Sequence, residues 1–430
     1  MTRRPGTRPA TASSSDDYLA RTAQALWPGA CVRLSRSAPR RRAAVDRAAG
    51  ETGPRSARGS DDASWFLLPS GRQPRMLLPV RCRAAAVMLN RHDSSRREAW
   101  ARAVLRGAVS SGWLDRLPVR RLVVDATSSG AGDLAEHLGR LLGEPVRIGV
   151  LLGPVRANAK PVVQAFARSG RTLAFGKLDA GGTGHLVERE ATALTTLATA
   201  GLVGVEVPSL LHHGRWHGRA LTLLSALDAS QSRATDDAPH LGAAAEIAAA
   251  PGLQFLPLGD VLSRLKGRVA ALPPGPGAAR LGLVLDQLGR TAGADPLPVG
   301  AWHGDWSPWN MRRSATGGRL QVWDWERFDT GAAYGLDAVH HRAQLLWRDG
   351  VPAAACRPAL EEAGRAMPPP AGGPPVPAGV LRRLYLVEIG ARYLGDQPSG
   401  TPPRPRTRWV LDQLSPTTSD ADGDRRHGTA

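Results

Sequence analysis

The chain has 430 residues, of which 42% are hydrophobic, so it is long enough to form two or three domains with buried cores. This composition excludes a disordered or fibrous protein. The 56 basic residues exceed the 38 acidic ones by 18, and all but three of them are arginine. A charge of +18 would suit a nucleic acid or an anionic membrane, but the arginines are dispersed, which favours a coding bias over a binding surface.

Cysteine usage and hydropathy favour a reducing compartment. The three cysteines, Cys31, Cys82 and Cys356, lie far apart and show neither disulfide-framework nor zinc-site spacing. The first residues carry no apolar segment, and no run of 18 apolar residues occurs along the chain. A cytoplasmic protein without a membrane span is therefore expected.

Residues 1–60 predict a flexible basic arm. They contain twelve arginines and four acids, and the small and polar residues between them bury little apolar surface. A short helix around Tyr18–Trp27 is compatible with the pattern. The Arg-rich stretch 33–47 lacks interleaved aromatic residues, so a nucleic-acid partner is not favoured. At the other end, residues 415–430 predict a disordered tail.

Residues 64–145 predict a small α+β domain whose role the sequence does not state. Apolar runs at 65–68 and 76–80 flank a Pro-Ser-Gly turn, which predicts a β-hairpin. A helix should follow from about Arg96, because Ser95 and Glu98 have capping-box spacing. A strand at 121–125 and a helix at 133–142 complete this region.

From Val146 the pattern changes to five short strands with one helix inserted after the third. A strand at 146–152 precedes a loop at 153–160, and a hairpin, a helix and two further strands continue to residue 225. Residues 226–414 are mainly helical in pattern, with Pro- and Gly-rich breaks. The clearest helices are expected at 258–272, 278–292, 336–347, 355–366 and 380–394.

The strongest chemical signal is the sequence His303-Gly-Asp305, followed by Asn310 and then by Asp324-Trp-Glu326. Moving a phosphoryl group to a hydroxyl needs a carboxylate beside the attacking oxygen and oxygen ligands for Mg²⁺. Asp305 can orient a hydroxyl and accept its proton. Asn310 and Asp324 can supply the metal ligands, the latter directly after an apolar run that predicts a strand.

These two motifs resemble the aminoglycoside phosphotransferase and choline kinase family, whose hallmark is H-G-D-x-x-x-x-N followed by D-x-E. The resemblance covers about residues 146–400 and is sharp over 302–326. It implies an α+β, bilobal, protein-kinase-like fold, in which 146–225 form the small lobe and 226–414 the helical lobe with the catalytic loop. It also implies ATP, Mg²⁺ and a small-molecule hydroxyl as substrate. Asp305 then looks like the catalytic base, Asn310 and Asp324 like metal ligands, His303 like a support for the loop, and Asp337 like a helix anchor.

A kinase also needs a lysine on its third strand, paired with a glutamate from the next helix, to hold the ATP phosphates. Lys177 fits this position in a chain with only three lysines. The guanidinium group does not replace a compact ammonium there. Glu190 is preferred over Glu188 as its partner, because it lies beside the apolar stripe of the helix.

The predicted phosphate loop departs from the kinase pattern. Gly153 is its one glycine, so backbone amides can still contact ATP, but no G-x-G-x-x-G motif supports this and an ordinary strand connection fits equally well.

Five of the twelve tryptophans lie between residues 302 and 325. Trp306 and Trp309 stand beside Asp305 and could form a stacking platform for the acceptor, although core packing is an equal alternative. The doublet His340-His341 lacks a third ligand at metal spacing, so a core or solvent role is favoured.

The sequence thus predicts an ATP- and Mg²⁺-dependent small-molecule kinase. The alternative is a kinase-fold binding or regulatory protein that has lost catalysis, for which the departing phosphate loop is the best support. The acceptor cannot be identified, because fold analogy does not choose among sugars, aminoglycosides and related metabolites.

Overall fold

The computed structural model describes residues 15–35, 64–71, 73–90, 96–125, 133–153, 160–227, 233–234, 238, 240–291, 296–314, 318–398 and 400–414. The expected tail at 415–430, most of the expected arm and the centre of the predicted phosphate loop lie outside these residues. The chain divides into two compact units. Unit one comprises the residues up to Ala191 together with Ser209–Ala226. Unit two comprises Thr192–Pro208 and the residues from Leu227 onward.

Up to residue 226 the helices and strands follow the predicted order closely. They are α1 (Ser15–Leu26), β1 (Cys31–Ser35), β2 (Ser64–Leu68), β3 (Met76–Pro79), α2 (Arg96–Ser111), β4 (Arg121–Asp125), α3 (Leu134–Leu142), β5 (Arg147–Leu151), β6 (Val162–Phe166), β7 (Thr172–Leu178), α4 (Gly184–Ala198), β8 (Val205–Glu206), β9 (Leu210–Trp216) and β10 (Arg219–Ser225).

Beyond residue 226 helices dominate, as expected. The elements are β11 (Arg233–Ala234), α5 (Leu241–Ala249), β12 (Gln254–Leu256), α6 (Leu258–Ala270), α7 (Pro276–Thr291), β13 (Leu297–Trp302), β14 (Met311–Arg313), β15 (Leu320–Val322), β16 (Asp329–Ala333), α8 (Leu336–Arg348), α9 (Arg357–Arg365), α10 (Ala378–Gly395) and α11 (Pro405–Asp412). The α+β class is confirmed: unit one is built on an antiparallel sheet and unit two is mainly helical.

Unit one is organised around a nine-stranded sheet in the order β1-β4-β2-β3-β5-β6-β7-β10-β9. Its neighbouring strands pair antiparallel, and side chains therefore alternate between two cores. On β2, Trp65 and Leu67 face the core that contains α1 and α3, whereas Phe66 faces the core beneath α2. Helices or turns thus cover both faces of the sheet.

The sheet does not divide where we expected a domain boundary, between residues 145 and 146. Met76 and Leu77 of β3 pair with Leu151 and Val150 of β5, so the strands of 64–145 extend the sheet of 146–225. The physical reason is that an exposed β3 edge would leave its backbone groups unpaired, and β5 satisfies them. The separate N-terminal domain is therefore corrected to an extension of the same sheet.

The expected arm also needs correction, because its described part is ordered in the core of unit one. In α1, Tyr18, Leu19 and Leu26 are buried, and the Trp27 ring lies 4.3 Å from that of Trp65. The average composition of residues 1–60 concealed this segment, although the pattern is compatible with the helix that the structure shows. The rest of the arm, residues 1–14 and 36–60, lies outside the described residues.

Unit two carries two small sheets among its helices, β11-β14-β15-β8 and β12-β13-β16. Strand β13 is buried along its whole length, and the motif residues follow directly from its end. Among the described residues, we find no helix with the length and hydrophobicity that crossing a membrane requires.

Candidate active site

The loop that follows β13 is fixed by its backbone. Gly304 has a φ of 79°, and a Cβ there would lie 2.5 Å from the Arg327 carbonyl oxygen. Only glycine combines this left-handed conformation with so close an approach. The Asp337 carboxylate, at the start of α8, accepts the N–H groups of His303 at 2.7 Å and of Gly304 at 3.1 Å. The loop backbone is thus held from the side of α8, so these two bonds of Asp337, expected as a helix anchor, are made to the loop.

Asp337 itself is almost fully buried. Burial raises the pKa of its carboxyl to about 7, although the two backbone N–H bonds lower it. Arg392 of α10 supplies nearby positive charge, stacks on the Trp302 ring at 4.9 Å and donates to the Gly304 carbonyl. Two helices therefore bind the same turn of the loop.

His303 links the loop to the second motif. Its Nδ1 accepts the Asp305 N–H at 3.1 Å, so its Nε2 carries the ring proton and donates to the Trp323 carbonyl at 3.0 Å. The ring is fully buried. These contacts suit the support role predicted for His303, because they join Asp305 to the residue before Asp324.

The Asp305 carboxylate has a hydrogen-bond partner on each oxygen. Oδ2 accepts from Asn310 Nδ2 at 2.9 Å, and Oδ1 lies 3.2 Å from His340 Nε2. Burial opposes ionisation, but the hydrogen bond from His340 and the positive charge nearby hold the pKa of Asp305 well below its usual range. About a third of the side chain is exposed. Asp305 is thus an ionised, oriented carboxylate that a ligand can reach.

Asn310 and Asp324 lie at one end of a hairpin. Met311 of β14 pairs with Val322 of β15, and the Trp323 N–H donates to the Asn310 carbonyl at 3.1 Å, so Asp324 follows directly. The Asn310 amide nitrogen donates to the carboxylate and the carbonyl of Asp305, which leaves its Oδ1 as an acceptor.

An amide oxygen and a carboxylate are ligands that suit Mg²⁺, which usually keeps several waters and needs few protein oxygens. Among the described residues, no group of three or more His, Cys, Asp or Glu side chains is arranged to hold a metal ion. The donor set therefore fits an open magnesium site better than a closed metal cage.

The two candidate platform tryptophans differ. Trp306 is fully buried, with its ring 5.9 Å from that of His303, so its predicted place in an acceptor platform is wrong. The reason is that Trp306 packs inward behind the loop. Trp309 is 51% exposed and keeps that possibility.

Unit one contains the predicted lysine–glutamate pair. Lys177 Nζ of β7 lies 2.7 Å from Glu190 Oε1 of α4, and the two side chains are 9% and 0% exposed. Glu188 instead faces Arg215 at 3.6 Å and is half exposed. The preference for Glu190 follows from the buried stripe of α4, which turns Glu188 outward.

Gly153 follows β5, and a Cβ built there would meet nothing within 4 Å. Neither sterics nor a left-handed backbone therefore requires glycine at this position. The loop it opens, at 154–159, lies outside the described residues, and its contact with phosphates stays a prediction.

Sequence reasoning missed the residues that surround Asp305 from other helices. His340, Gln344 and Tyr385 are buried and form a hydrogen-bonded group beside it. Of the two roles expected for His340, core or solvent, the structure shows the core, but its contact with Asp305 was not foreseen. The available signal was its spacing of three residues from Asp337, which places both side chains on one face of α8.

Comparisons with known proteins return phosphotransferases among solved structures. An aminoglycoside phosphotransferase, a thermostable mutant in ternary complex with ADP and hygromycin B, is 14% identical with a TM-score of 0.44, covering 69% of this chain and 99% of that one. Choline kinase from Streptococcus pneumoniae is 13% identical with a TM-score of 0.42, covering 65% and 95%. A choline/ethanolamine kinase family protein from Mesorhizobium loti is 17% identical with a TM-score of 0.39, covering 65% and 91%.

No protein-family model and no curated protein matches the chain. The solved structures belong to the families that the motifs at 303–326 resemble. Because these identities and TM-scores are low, the function is inferred from the side chains of the site.

Proposed function

We propose that this protein is an ATP- and Mg²⁺-dependent phosphotransferase that phosphorylates a hydroxyl group of a small molecule, such as a sugar, an aminoglycoside or a related metabolite. The observation that carries the proposal is the Asp305 carboxylate, which is accessible and has a hydrogen-bond partner on each oxygen. It lies in a loop with the H-G-D-x-x-x-x-N pattern.

Asp305 acts as the base. Its low pKa keeps it ionised, and each oxygen retains a lone pair beyond its bond to Asn310 or His340. It orients the acceptor hydroxyl and takes its proton as the new oxygen–phosphorus bond forms and the bond to the bridging oxygen of ADP breaks. The proton then passes to solvent.

Asn310 Oδ1 and the Asp324 carboxylate are the proposed magnesium ligands. A bound Mg²⁺ neutralises charge on the phosphate oxygens. Asn310 would serve two purposes, because its amide nitrogen holds Asp305 while its amide oxygen faces the metal.

Lys177 is the proposed contact of the ATP phosphates, with Glu190 holding its ammonium in place. The buried 2.7 Å ion pair supports this role, since a lysine that bound no ligand would gain little from fixed burial. Gly153 and the loop after it are proposed to contact the phosphates through backbone amides.

The test is an ATP-consumption screen against sugars, aminoglycosides, amino alcohols and nucleosides, with Asp305→Ala as the blank. Removing the base should lower kcat by about 10²- to 10⁴-fold. Binding of a non-hydrolysable ATP analogue should stay nearly intact, because Asp305 acts on the acceptor. Phosphorus NMR of the product identifies the phosphoester.

Asp349→Asn is the matched control, because this exposed carboxylate lies at the end of α8, outside the site. It should leave turnover unchanged. Full turnover by Asp305→Ala would overturn the assignment of the base. ATP binding by the wild type without turnover of any acceptor would favour the alternative, a kinase-fold binding or regulatory protein.

A further inference from the structure

A second helix reaches the side chain of the proposed base. His340, on the second turn of α8, has its Nε2 3.2 Å from Asp305 Oδ1 and is 1% exposed. The other carboxylate oxygen is bound by Asn310. Resting on the proposed function, we propose that His340 is a positioning residue, which donates Nε2–H to Asp305 Oδ1 and sets the orientation of the carboxylate toward the acceptor hydroxyl.

The surroundings of the His340 ring determine where its proton lies. Nε2 faces a carboxylate, which only accepts, whereas Nδ1 lies 3.3 Å from the Tyr385 hydroxyl, which can donate. The arrangement that satisfies both is a neutral ring with its proton on Nε2. Burial lowers the pKa of His340 to about 4, against the raising effect of Asp305, so the ring is neutral at pH 7.

Gln344 completes the arrangement from the next turn of α8. Its Nε2 lies 2.8 Å from His340 Nε2, and among the described residues its buried Oε1 has no hydrogen-bond partner. Because both Nε2 atoms would then donate, we assign the amide with its oxygen toward the ring, where it is a second acceptor for the same N–H. Gln344 is 2% exposed and Tyr385 is 1% exposed. Packing therefore restricts the ring to one orientation, as a positioning contact requires.

One helix thereby controls two features of the loop. Asp337 holds the backbone of His303 and Gly304, and His340, three residues later, holds the Asp305 side chain. Hydrogen bonds to both oxygens fix the plane of the carboxylate as well as its position. A freely rotating carboxylate would meet the hydroxyl in a productive geometry less often, which lowers turnover without weakening ATP binding.

The test compares three variants. His340→Leu removes the donor and keeps a buried side chain. His340→Gln places an amide N–H at a similar reach. His341→Leu changes the adjacent buried histidine and serves as the control for damage to α8. kcat, the KM values for ATP and acceptor, and the free energy of unfolding are measured for each.

We expect His340→Leu to lower kcat by about 10- to 100-fold with the KM for ATP nearly unchanged. His340→Gln should recover most of this loss, and His341→Leu should keep its kcat even if it unfolds more easily. Wild-type kcat in His340→Leu would overturn the inference. So would equal losses in His340→Leu and His340→Gln, since that pattern indicates packing alone.

Nitrogen NMR of ¹⁵N-histidine-labelled protein tests the contact without an acceptor. The expected spectrum shows His340 protonated on Nε2, with a ring N–H proton shift that moves upfield in Asp305→Ala. A ring protonated on Nδ1 would overturn the inference. If no acceptor is turned over by the wild type, the proposed function fails, while this spectrum still decides whether His340 donates to Asp305.

Discussion

Two charged centres of the molecule, the Lys177–Glu190 pair in unit one and Asp305 in unit two, are built in opposite ways. Lys177 and Glu190 neutralise each other across 2.7 Å. Asp305 is held by Asn310 and His340, both neutral groups at pH 7, which fix its geometry and leave its negative charge in place. A full ion pair suits a group that must stay charged and fixed, whereas neutral donors orient a carboxylate without pairing it to an opposite charge.

The ion pair gives the largest expected effect on stability. Glu190→Ala leaves the buried Lys177 ammonium without this carboxylate, which should cost about 3–5 kcal/mol of the free energy of unfolding. ATP affinity should fall as well. Urea unfolding and titration with a non-hydrolysable ATP analogue measure the two effects.

Glu188→Ala is the control, two residues earlier on the same helix. Its exposed pair with Arg215 should contribute about 0–1 kcal/mol. Equal losses in the free energy of unfolding for Glu188→Ala and Glu190→Ala would contradict a stabilising role for the buried Lys177–Glu190 pair.

The loop around Asp305 should be most sensitive at its backbone. Gly304→Ala combines a left-handed residue, at about 1–2 kcal/mol, with overlap on the Arg327 carbonyl, at about 1–3 kcal/mol. Turnover should fall with stability, because Asp305 is the next residue. Urea unfolding and kcat are the measurements.

Gly318→Ala separates these two contributions. Gly318 also has a positive φ, of 67°, but a Cβ there meets nothing within 4 Å. Gly318→Ala should lower the free energy of unfolding by the backbone contribution alone and should keep the wild-type kcat. A kcat loss as large as that of Gly304→Ala would mean that the close approach to Arg327 is unimportant.

The same comparison explains what the sequence could predict of the site. The kinase pattern calls for a lysine and a glutamate on consecutive elements, and helix periodicity then favoured Glu190 over Glu188 as the partner of Lys177, 13 residues earlier. His340 and Tyr385 lie 35 and 80 positions beyond Asp305, and only tertiary packing brings these three residues together. Local patterns carry no information about such contacts, which is also why Trp306 could not be separated from Trp309.

The fold shows the same limit. Alternating apolar residues and turn signals predicted the β2–β3 hairpin and, apart from the two-residue strand β8, the strand–helix order from β5 to β10. The pairing of β3 with β5 was not predictable, because register between strands that are not joined by a tight turn is set by long-range packing. The buried face of α1 was missed because charged residues on both sides dominated the local composition.

Asp337 offers an effect on stability that depends on pH. Its pKa of about 7 lies above the ordinary value of 3.8, so the folded protein favours the protonated carboxyl. Its contribution to stability is therefore present below about pH 4 and lost as the pH rises through about 7. Asp337→Asn cannot ionise, so its free energy of unfolding should vary less over this range than that of the wild type. Asp349→Asn is the control, because it removes an exposed carboxylate at the opposite end of the same helix.

The smallest expected change in stability is at Trp309. With 51% of its surface exposed, Trp309→Ala should alter the free energy of unfolding by about 0.5 kcal/mol or less. If its ring stacks on the acceptor beside Asn310, the KM for the acceptor should rise while the KM for ATP stays constant. Trp113→Ala is the matched control, because this residue is 54% exposed but lies in unit one at the end of α2. Equal acceptor KM values in the wild type and both variants would remove Trp309 from the proposed acceptor site.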